Sequence, residues 1–315
     1  MKILQNSEEQ VFDIRTLRLL IGAIALAFPT VVYLLAGRIT TSISASYHEP
    51  PMRDVFVGFM FVLGALLLSY KGHRLWFPLS EGSALWMRIK RDQEDWISGI
   101  GGIAAIFTAV FPTACDDCSV DTTVRLHTIG AFLLFFNVVY FSLIAFLRSL
   151  NLKFDKHPEL KGIEITPVRE NGGLARKFTG FLFSEILRFV RIVSEVSSRY
   201  DSEHRAQKGK FSFSYGIGKL GYLLTAYRQK IRRGFIYMLC GSLILLILVG
   251  YLLMALILPD LVTSWKLTFV VEAISLWLFG AAWMTAGHIP FLRKLRLLWV
   301  LRRQRQAFVA EPGTA

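Results

Sequence analysis

The sequence predicts an all-α, polytopic membrane protein built as a bundle of six transmembrane helices. The chain has 315 residues, of which 53% are hydrophobic and 19% are charged, and its mean hydropathy is +0.46. A soluble domain of this length would carry more charge. Several uncharged apolar runs approach or exceed the roughly 20 residues that cross the hydrocarbon core. The first run is long and no small-residue cleavage site follows it, so we expect no removable signal peptide.

Six apolar runs define the expected helices. They are Leu19–Gly37, Val55–Gly72, Trp96–Pro112, Leu126–Leu147, Phe235–Leu258 and Leu267–Gly287. The chain then divides into helices 1–4 (residues 1–148), a basic insert (149–234), helices 5–6 (235–288) and a basic tail (289–315). The third helix carries Ser98, Gly101, Gly102 and Ala105. Small residues at this spacing let helix backbones approach closely.

The distribution of basic residues predicts the orientation in the membrane. Alternate segments, beginning with the N-terminal one, contain 32 Lys and Arg, whereas the other connections contain 4. Without the long insert the split is still 14 to 4. Because cytoplasmic loops are enriched in Lys and Arg, both termini are expected in the cytoplasm and the protein in the plasma membrane.

The basic insert predicts contact with anionic lipid head groups. Residues 148–233 hold 18 basic and 8 acidic side chains, and each basic residue near an anionic surface contributes about 1 kcal/mol. Within it, Leu174–Tyr200 has apolar residues near helical spacing with arginines interleaved, which predicts a helix lying along the membrane surface. The glycine-rich Gly216–Gly221 lacks the spacing and preceding strand of a phosphate loop. Membrane lipids are therefore the expected partners, and nucleic acid is not.

Glu272 is the one carboxylate well inside a predicted span. Placing a carboxylate in the bilayer costs about 2.5 kcal/mol or more, so it should face the bundle and find a partner. Arg53, Arg125 and His127 are the candidate partners, since the topology places all of them at the outer face. Glu272 is either a proton-relay or substrate-binding acid, or one half of a structural ion pair.

Other polar residues collect at the same outer face, chiefly in the connection between helices 1 and 2. The candidate ligand-binding residues are Ser42, Ser46, His48, Arg53, Asp54, Arg125, His127 and Glu272. Asp54 also has a structural interpretation, because an acid in the first turn of a helix favours the helix dipole. His127 has one as a hydrogen-bonded histidine at the interface.

Cys115 and Cys118 form a C-x-x-C pair in the second outer loop. A structural disulfide is favoured on an oxidising outer face. A redox pair would need a thiolate in positive surroundings, which Asp116 and Asp117 oppose. Zinc binding together with His48 or His127 remains an alternative, as do free thiols.

Two resemblances extend this interpretation. The motifs Thr41-Ser42-Ile43-Ser44, Phe111-Pro112-Thr113 and Leu126-His127-Thr128-Ile129-Gly130-Ala131 resemble an uncharacterised bacterial family of six-helix membrane proteins. More distantly, that family looks like the damage-regulated autophagy modulator type. The resemblance implies the six-helix fold and no particular reaction.

Ser44-Ala45-Ser46-Tyr47-His48 resembles the S-A-x-Y/F-H motif of the CREST superfamily, which includes alkaline ceramidases. That resemblance implies a zinc hydrolase in which His48 is a metal ligand and Asp54 a second acid of the site. The superfamily's H-x-x-x-H in the last helix is absent here, and the predicted topology puts His288 at the cytoplasmic end, a membrane thickness away from His48.

Three functional hypotheses follow. The leading one is a membrane protein that binds or senses a small or lipidic ligand at an outward-facing polar mouth, without a demonstrable catalytic set and without a cofactor. The second is a metal-dependent membrane lipid hydrolase. The third is a proton-coupled transporter that uses Glu272, although no broken helix pair or internal repeat supports it.

Overall fold

The computed structural model describes residues 13–72, 92–114, 122–154, 174–203 and 228–287. All regular structure in these ranges is helical. The sequence-based predictions for Cys115 and Cys118, for Gly216–Gly221, for His288 and for the basic tail lie outside the described residues, as do large parts of the basic insert.

Nine α-helices make up the described chain. They are α1 (Ile14–Ala36), α2 (Met52–Ser69), α3 (Gln93–Val110), α4 (Thr122–Tyr140), α5 (Phe146–Phe154), α6 (Leu174–Glu203), α7 (Arg228–Ile257), α8 (Pro259–Ser264) and α9 (Leu267–Gly287). A short 3₁₀ helix, Ser44–His48, connects α1 to α2. A π-helical segment, Phe141–Ala145, joins α4 to α5 into one continuous helix.

Five helices of the described chain are long and apolar enough to cross a membrane: α1, α2, the continuous α4–α5 helix, α7 and α9. Helix α3 reaches 18 residues, but its first turn is Gln93-Glu94-Asp95. These polar residues lower the mean hydropathy of α3, so its composition is less apolar than that of the five candidate spanning helices. The count of six spans therefore stays a prediction.

Consecutive long helices run antiparallel, which gives the bundle two distinct ends. Arg18 near the beginning of α1 hydrogen-bonds Tyr70 just after the end of α2, and Gly287 at the end of α9 lies against the beginning of α1. We call this the terminus end; the beginnings of α3 and α7 and helix α5 lie there too. The opposite, loop end holds the Ser44–His48 helix, the end of α3 and the beginnings of α4 and α9.

Glycines mark the closest contacts between helices. A Cβ atom on Gly102 of α3 would lie 2.7 Å from the carbonyl oxygen of Gly64 in α2, and one on Gly280 of α9 would lie 2.8 Å from the carbonyl oxygen of Gly22 in α1. No side chain fits at these distances, so the backbones touch, as small-residue interfaces in membranes allow. The close approach expected of the third helix is therefore present.

Large apolar side chains cover the outside of the bundle. Phe132 is 72% exposed, Leu246 68% and Leu256 73%, each within a candidate spanning helix. A contiguous apolar surface of this kind is rare on soluble monomers. Facing lipid tails, it needs no further cover.

Several helices extend beyond the approximate spans that hydropathy predicts. Helix α3 begins at Gln93, not Trp96, and α7 begins at Arg228, not Phe235. Helix α5 continues to Phe154, so the predicted domain border after residue 148 falls inside a helix. Arg, Lys and Gln are good helix formers, and long basic side chains can extend a helix beyond the apolar layer. Hydropathy therefore locates the membrane crossing but not the helix ends.

A helix does form within the insert, where the sequence predicts an amphipathic one. In α6, Phe189, Ile192 and Val196 are buried, and Phe189 lies against Gly234 of α7. The apolar face of α6 thus packs on the protein at the terminus end. Its position along the membrane surface stays a prediction.

Candidate functional site

The polar connection between α1 and α2 folds into a turn that bonds mostly to itself and to helix ends. The Ser42 Oγ accepts a hydrogen bond from the Ala45 amide at 2.9 Å, and the Thr40 hydroxyl donates to the Ser42 carbonyl at 2.8 Å. Serine and threonine favour such local bonds, which fix tight turns. Two of the predicted ligand-binding residues, Ser42 and Ser46, lie in this turn. Ser46 is fully buried, and its Oγ has no hydrogen-bond partner among the described residues.

Glu272 is held by this turn. Its carboxylate accepts hydrogen bonds from the Ile43 backbone amide at 2.5 Å and from the Ser44 hydroxyl at 3.1 Å. The carboxylate therefore fixes the turn to the second turn of α9, across 229 residues of sequence. We call Glu272, Ile43 and Ser44 the latch.

The basic residues expected as partners of Glu272 do not contact it in the described part of the chain. Arg53 instead stacks on the Tyr47 ring, with its guanidinium carbon 4.7 Å from the ring centroid. Arg125 is exposed. His127 bonds the Phe111 carbonyl instead. The expectation was wrong because a backbone amide and a hydroxyl can satisfy a carboxylate without a counter-charge, and a pattern of charged residues does not reveal them.

The end of α3 and the residues just after it are bound by Tyr47 and by two predicted residues, His48 and His127. The Tyr47 hydroxyl donates to the Val110 carbonyl at 3.3 Å. His48 Nε2 lies 2.9 Å from the Thr113 carbonyl oxygen, and His127 Nδ1 lies 2.8 Å from that of Phe111. The last carbonyls of a helix have no partner within the helix, so these side chains satisfy the end of α3.

The same contacts determine the histidine tautomers. A carbonyl oxygen only accepts, so the ring nitrogen that faces it must carry the proton. His48 Nε2 and His127 Nδ1 therefore donate to these two carbonyls. The structure thus brings the two histidines to one short segment, residues 111–113, and the turn that holds His48 also forms the latch.

The donor set falls short of a zinc site within the described chain. No cluster of three or more His, Cys, Asp or Glu side chains that could hold a metal is found in those residues. A catalytic zinc needs three protein ligands. Asp54, the acid implied by the CREST resemblance, is exposed at the beginning of α2. A metal site would need Cys115 or Cys118, which lie outside the described residues.

Arg53, Asp54 and Arg125 are the exposed charges among the predicted ligand-binding residues. Neither Asp54 nor Arg125 makes a hydrogen bond or ion pair with another residue of the described ranges. Asp54 and Arg125 are therefore open to solvent at this end of the bundle.

A buried charge cluster at the terminus end was missed by the sequence reasoning. Arg148 and Glu94 are each 1% exposed. Arg148 lies 4.0 Å from Glu94 and 4.0 Å from Glu185, and it donates to the Tyr140 hydroxyl at 3.1 Å. Asn151 donates to Glu185 at 2.8 Å. The antiparallel order of helices 3 and 4 was the available signal, since it places the first turn of one beside the last turn of the other.

A second polar contact at this end lies among aromatic rings. Arg18 is 9% exposed and donates to the Tyr70 hydroxyl through Nη2 at 2.8 Å and Nε at 3.3 Å. The Tyr70 ring packs edge-on to Trp283 and Phe141, with centroids 5.0 and 5.5 Å away. Burial raises the pKa of Tyr70 to about 12, against the opposing effect of Arg18. The phenol therefore stays neutral and accepts from the arginine.

Comparisons with known proteins do not assign this arrangement to a family. No protein-family model, no curated protein and no solved structure matches the chain.

Proposed function

We propose that the chain is an integral membrane protein that crosses the plasma membrane six times, with both termini in the cytoplasm. The Lys and Arg asymmetry supports this orientation. Two contacts support α3 as the sixth span. It packs directly on α2 through Gly64 and Gly102, and its acidic first turn reaches Arg148, so Glu94 is paired rather than exposed to lipid.

At the loop end, which would face outward, the protein binds or senses a small or lipidic ligand. The latch is the observation that carries this proposal. Glu272, inside an apolar helix, receives its hydrogen bonds from the turn rather than from another helix. A ligand that donates hydrogen bonds to Glu272 would replace Ile43 and Ser44, and the turn would then be released. Binding at the mouth is thereby coupled to a change in loop structure.

The experiment compares two lysolipids of equal chain length. Lysophosphatidylethanolamine carries an ammonium that donates hydrogen bonds, whereas lysophosphatidylcholine carries none. The protein is placed in phosphatidylcholine nanodiscs, and hydrogen exchange is measured on the peptide that contains residues 41–48. The ethanolamine lipid is expected to speed exchange of the Ile43 amide about tenfold, since a bond to a charged group is worth roughly 1.5–3 kcal/mol. The choline lipid should not change it.

Variants at two acids make this test specific. Glu272→Gln weakens the latch, so exchange at Ile43 should already be fast and should not respond to either lipid. Asp260→Asn is the matched control, because Asp260 is an exposed acid at the same end, in the first turn of α8. Equal responses to the two lipids in the wild-type protein would contradict the proposal, and so would a full response in Glu272→Gln.

Proton-coupled transport is a second candidate, favoured by the same carboxylate inside α9. In proteoliposomes that contain a pH-sensitive dye, the protein would carry a proton flux that Glu272→Gln abolishes. An unchanged flux in this variant removes the candidate.

A zinc-dependent lipid hydrolase is the third candidate, favoured by the convergence of His48 and His127 on residues 111–113. Purified protein would then hold close to one equivalent of zinc. Less than a tenth of an equivalent removes this candidate.

A further inference from the structure

A second side chain joins the beginning of α9 to the turn that forms the latch. The Lys266 ammonium donates to the Ile39 carbonyl oxygen at 2.6 Å. Lys266 directly precedes α9, and Glu272, in the second turn of that helix, binds Ile43 and Ser44. The turn is therefore held at one point by a cation and at another by an anion, and both charges come from the same end of α9.

The backbone at Lys266 is strained in a way that directs this contact. Its φ is +50°, which makes it the one non-glycine residue of the described ranges in the left-handed region. Such a conformation is costly for a residue with a Cβ atom and persists where the surroundings impose it. Here the Lys266 amide bonds to the Thr263 carbonyl at 3.2 Å and closes the corner between α8 and α9. Glycine best tolerates this backbone, but it could not reach Ile39.

The ammonium of Lys266 has bonding capacity left over. It has more than one N–H donor, and within the described ranges it donates only to Ile39 and pairs with no carboxylate. A full negative charge attracts an ammonium more strongly than the partial charge of a carbonyl oxygen does. Because the contact with Ile39 is exposed, an anionic group that enters from outside can replace this carbonyl.

The groups of the turn that contact α9 indicate what could replace them. Ile39 offers an acceptor to a cation, and Ile43 and Ser44 offer donors to an anion. We propose that these groups occupy the place of a zwitterion, and that the ligand of the loop end carries an ammonium for Glu272 and a phosphate for Lys266. Such a ligand binds both residues only when the latch is released, so its identity rests on the proposed function.

The surface next to Lys266 suits an amphiphilic ligand. Ile39, whose carbonyl binds the ammonium, is 42% exposed, and Trp265, the residue before Lys266, is 70% exposed. Tryptophan is favoured at the membrane–water interface, where lipid head groups lie. The ethanolamine phosphate head group joins an ammonium to a phosphate, so a lipid of this class combines both charges with an acyl chain for the apolar surface.

The experiment uses the full-length protein in phosphatidylcholine nanodiscs and follows hydrogen exchange on the peptide that contains residues 41–48. Lysophosphatidylethanolamine carries both charged groups, whereas an alkylamine of equal chain length carries the ammonium alone. The lysolipid should reach half of its effect at a concentration about 10- to 100-fold lower than the alkylamine, the factor that a hydrogen bond to a charged group contributes. Lysophosphatidic acid, which carries the phosphate alone, should not release Ile43.

Variants at Lys266 make the test specific. Lys266→Met removes the ammonium and should make the two half-effect concentrations nearly equal. The ratio of the two concentrations is measured because loss of the Ile39 contact loosens the turn for both compounds alike. Lys266→Arg keeps the charge and should retain the difference. Arg38→Gln is the matched control, since Arg38 is 65% exposed and precedes Ile39 in the sequence, and it should leave the ratio unchanged.

The outcomes separate the ligand assignment from the proposed function. If neither compound speeds exchange in the wild-type protein, the proposed function is contradicted and the zwitterionic ligand with it. Equal half-effect concentrations in the wild type would overturn the role of Lys266 and leave release by an ammonium intact. An unchanged ratio in Lys266→Met would do the same.

A soluble head group identifies the source of the zwitterion. Glycerophosphoethanolamine carries the same two charges without an acyl chain, and it should not release Ile43 at concentrations at which the lysolipid does. Release at similar concentrations would overturn a lipid ligand and assign the site to a soluble zwitterion.

Discussion

Arg148 offers the sharpest test of what holds the terminus end together. Its side chain and that of Glu94 are each 2% exposed, and that of Glu185 is 13% exposed. At 4 Å and an effective dielectric constant of about 20, each pair interacts by roughly 4 kcal/mol before the cost of desolvation. Arg148→Met keeps the approximate volume and removes the positive charge that lies 4.0 Å from each of the two carboxylates. Such a change costs about 3–5 kcal/mol of unfolding free energy.

The Arg38–Glu49 pair is the matched control. Its N–O distance is 3.2 Å, shorter than the distance from Arg148 to either of its carboxylates. The two side chains of the control pair, however, are 65% and 40% exposed. Exposed pairs contribute about 0–1 kcal/mol, so Arg38→Met should be close to neutral. Comparing Arg148→Met with Arg38→Met therefore shows whether burial or N–O distance determines the loss of unfolding free energy.

The assay is equilibrium unfolding in mixed detergent micelles, followed by tryptophan fluorescence, at constant detergent composition. A double-mutant cycle with Glu94→Gln isolates the pairwise term. The double variant should be less destabilised than the sum of the single variants, because the carboxylate that Arg148→Met strands is then neutral. If Arg148→Met and Arg38→Met differ by less than about 0.5 kcal/mol, the assigned role of the buried cluster is wrong.

Three other predictions concern individual side chains. Gly102→Ala places a Cβ atom 2.7 Å from a backbone oxygen of α2, whereas a Cβ atom on Gly99 would meet no neighbouring atom within 4 Å. In the same unfolding assay, Gly102→Ala should lower the unfolding free energy by about 1–3 kcal/mol. Gly99→Ala should not lower the unfolding free energy. His127→Phe leaves the partly buried Phe111 carbonyl without its donor and should cost about 1–3 kcal/mol. His48→Phe should cost less because His48 is exposed and water can replace it; equal losses would contradict this. The pKa of Tyr70, raised by burial from 10.0 to about 12, means that its stabilising contribution is complete below pH 10 and is lost as the pH rises through 12. The ultraviolet titration of wild type minus Tyr70→Phe should therefore show a phenol that ionises near pH 12, and ionisation near pH 10 would refute its burial.

The sequence predicted the helical class, the approximate position of each apolar helix and the residues that gather at the loop end. These features depend on hydropathy and on topology, which a single chain displays directly. Glu272, Ser44 and His127 do lie at one end of the bundle, as expected. Their bonding partners could not be predicted, because they are backbone groups: the Ile43 amide and the Phe111 carbonyl.

The terminus end was harder to predict for a different reason. Arg148 and Arg233 were counted as charges of the basic segment that is predicted to contact anionic lipid, since both lie at the borders of the insert. In the structure Arg148 lies within α5 and Arg233 within α7. Arg148 is one of the most buried side chains. Whether an arginine at a helix border faces lipid head groups or the core depends on the rotation of the helix, which hydropathy does not measure.

That rotation has an identifiable origin in the π-helical segment Phe141–Ala145, where the Phe146 amide bonds to the carbonyl five residues back, on Phe141. A π-bulge contains one residue more than a regular helix would, and one residue corresponds to about 100° of turn. The two halves of the α4–α5 helix are thus out of phase, and Arg148 meets Glu94 only because of that offset. Deleting a single residue from the segment would leave the His127 half in place and turn Arg148 away from Glu94 and Glu185. The packing at the loop end and the packing at the terminus end can therefore change independently during evolution. The extra residue of the π-helical segment sets the rotation of one half of the helix relative to the other.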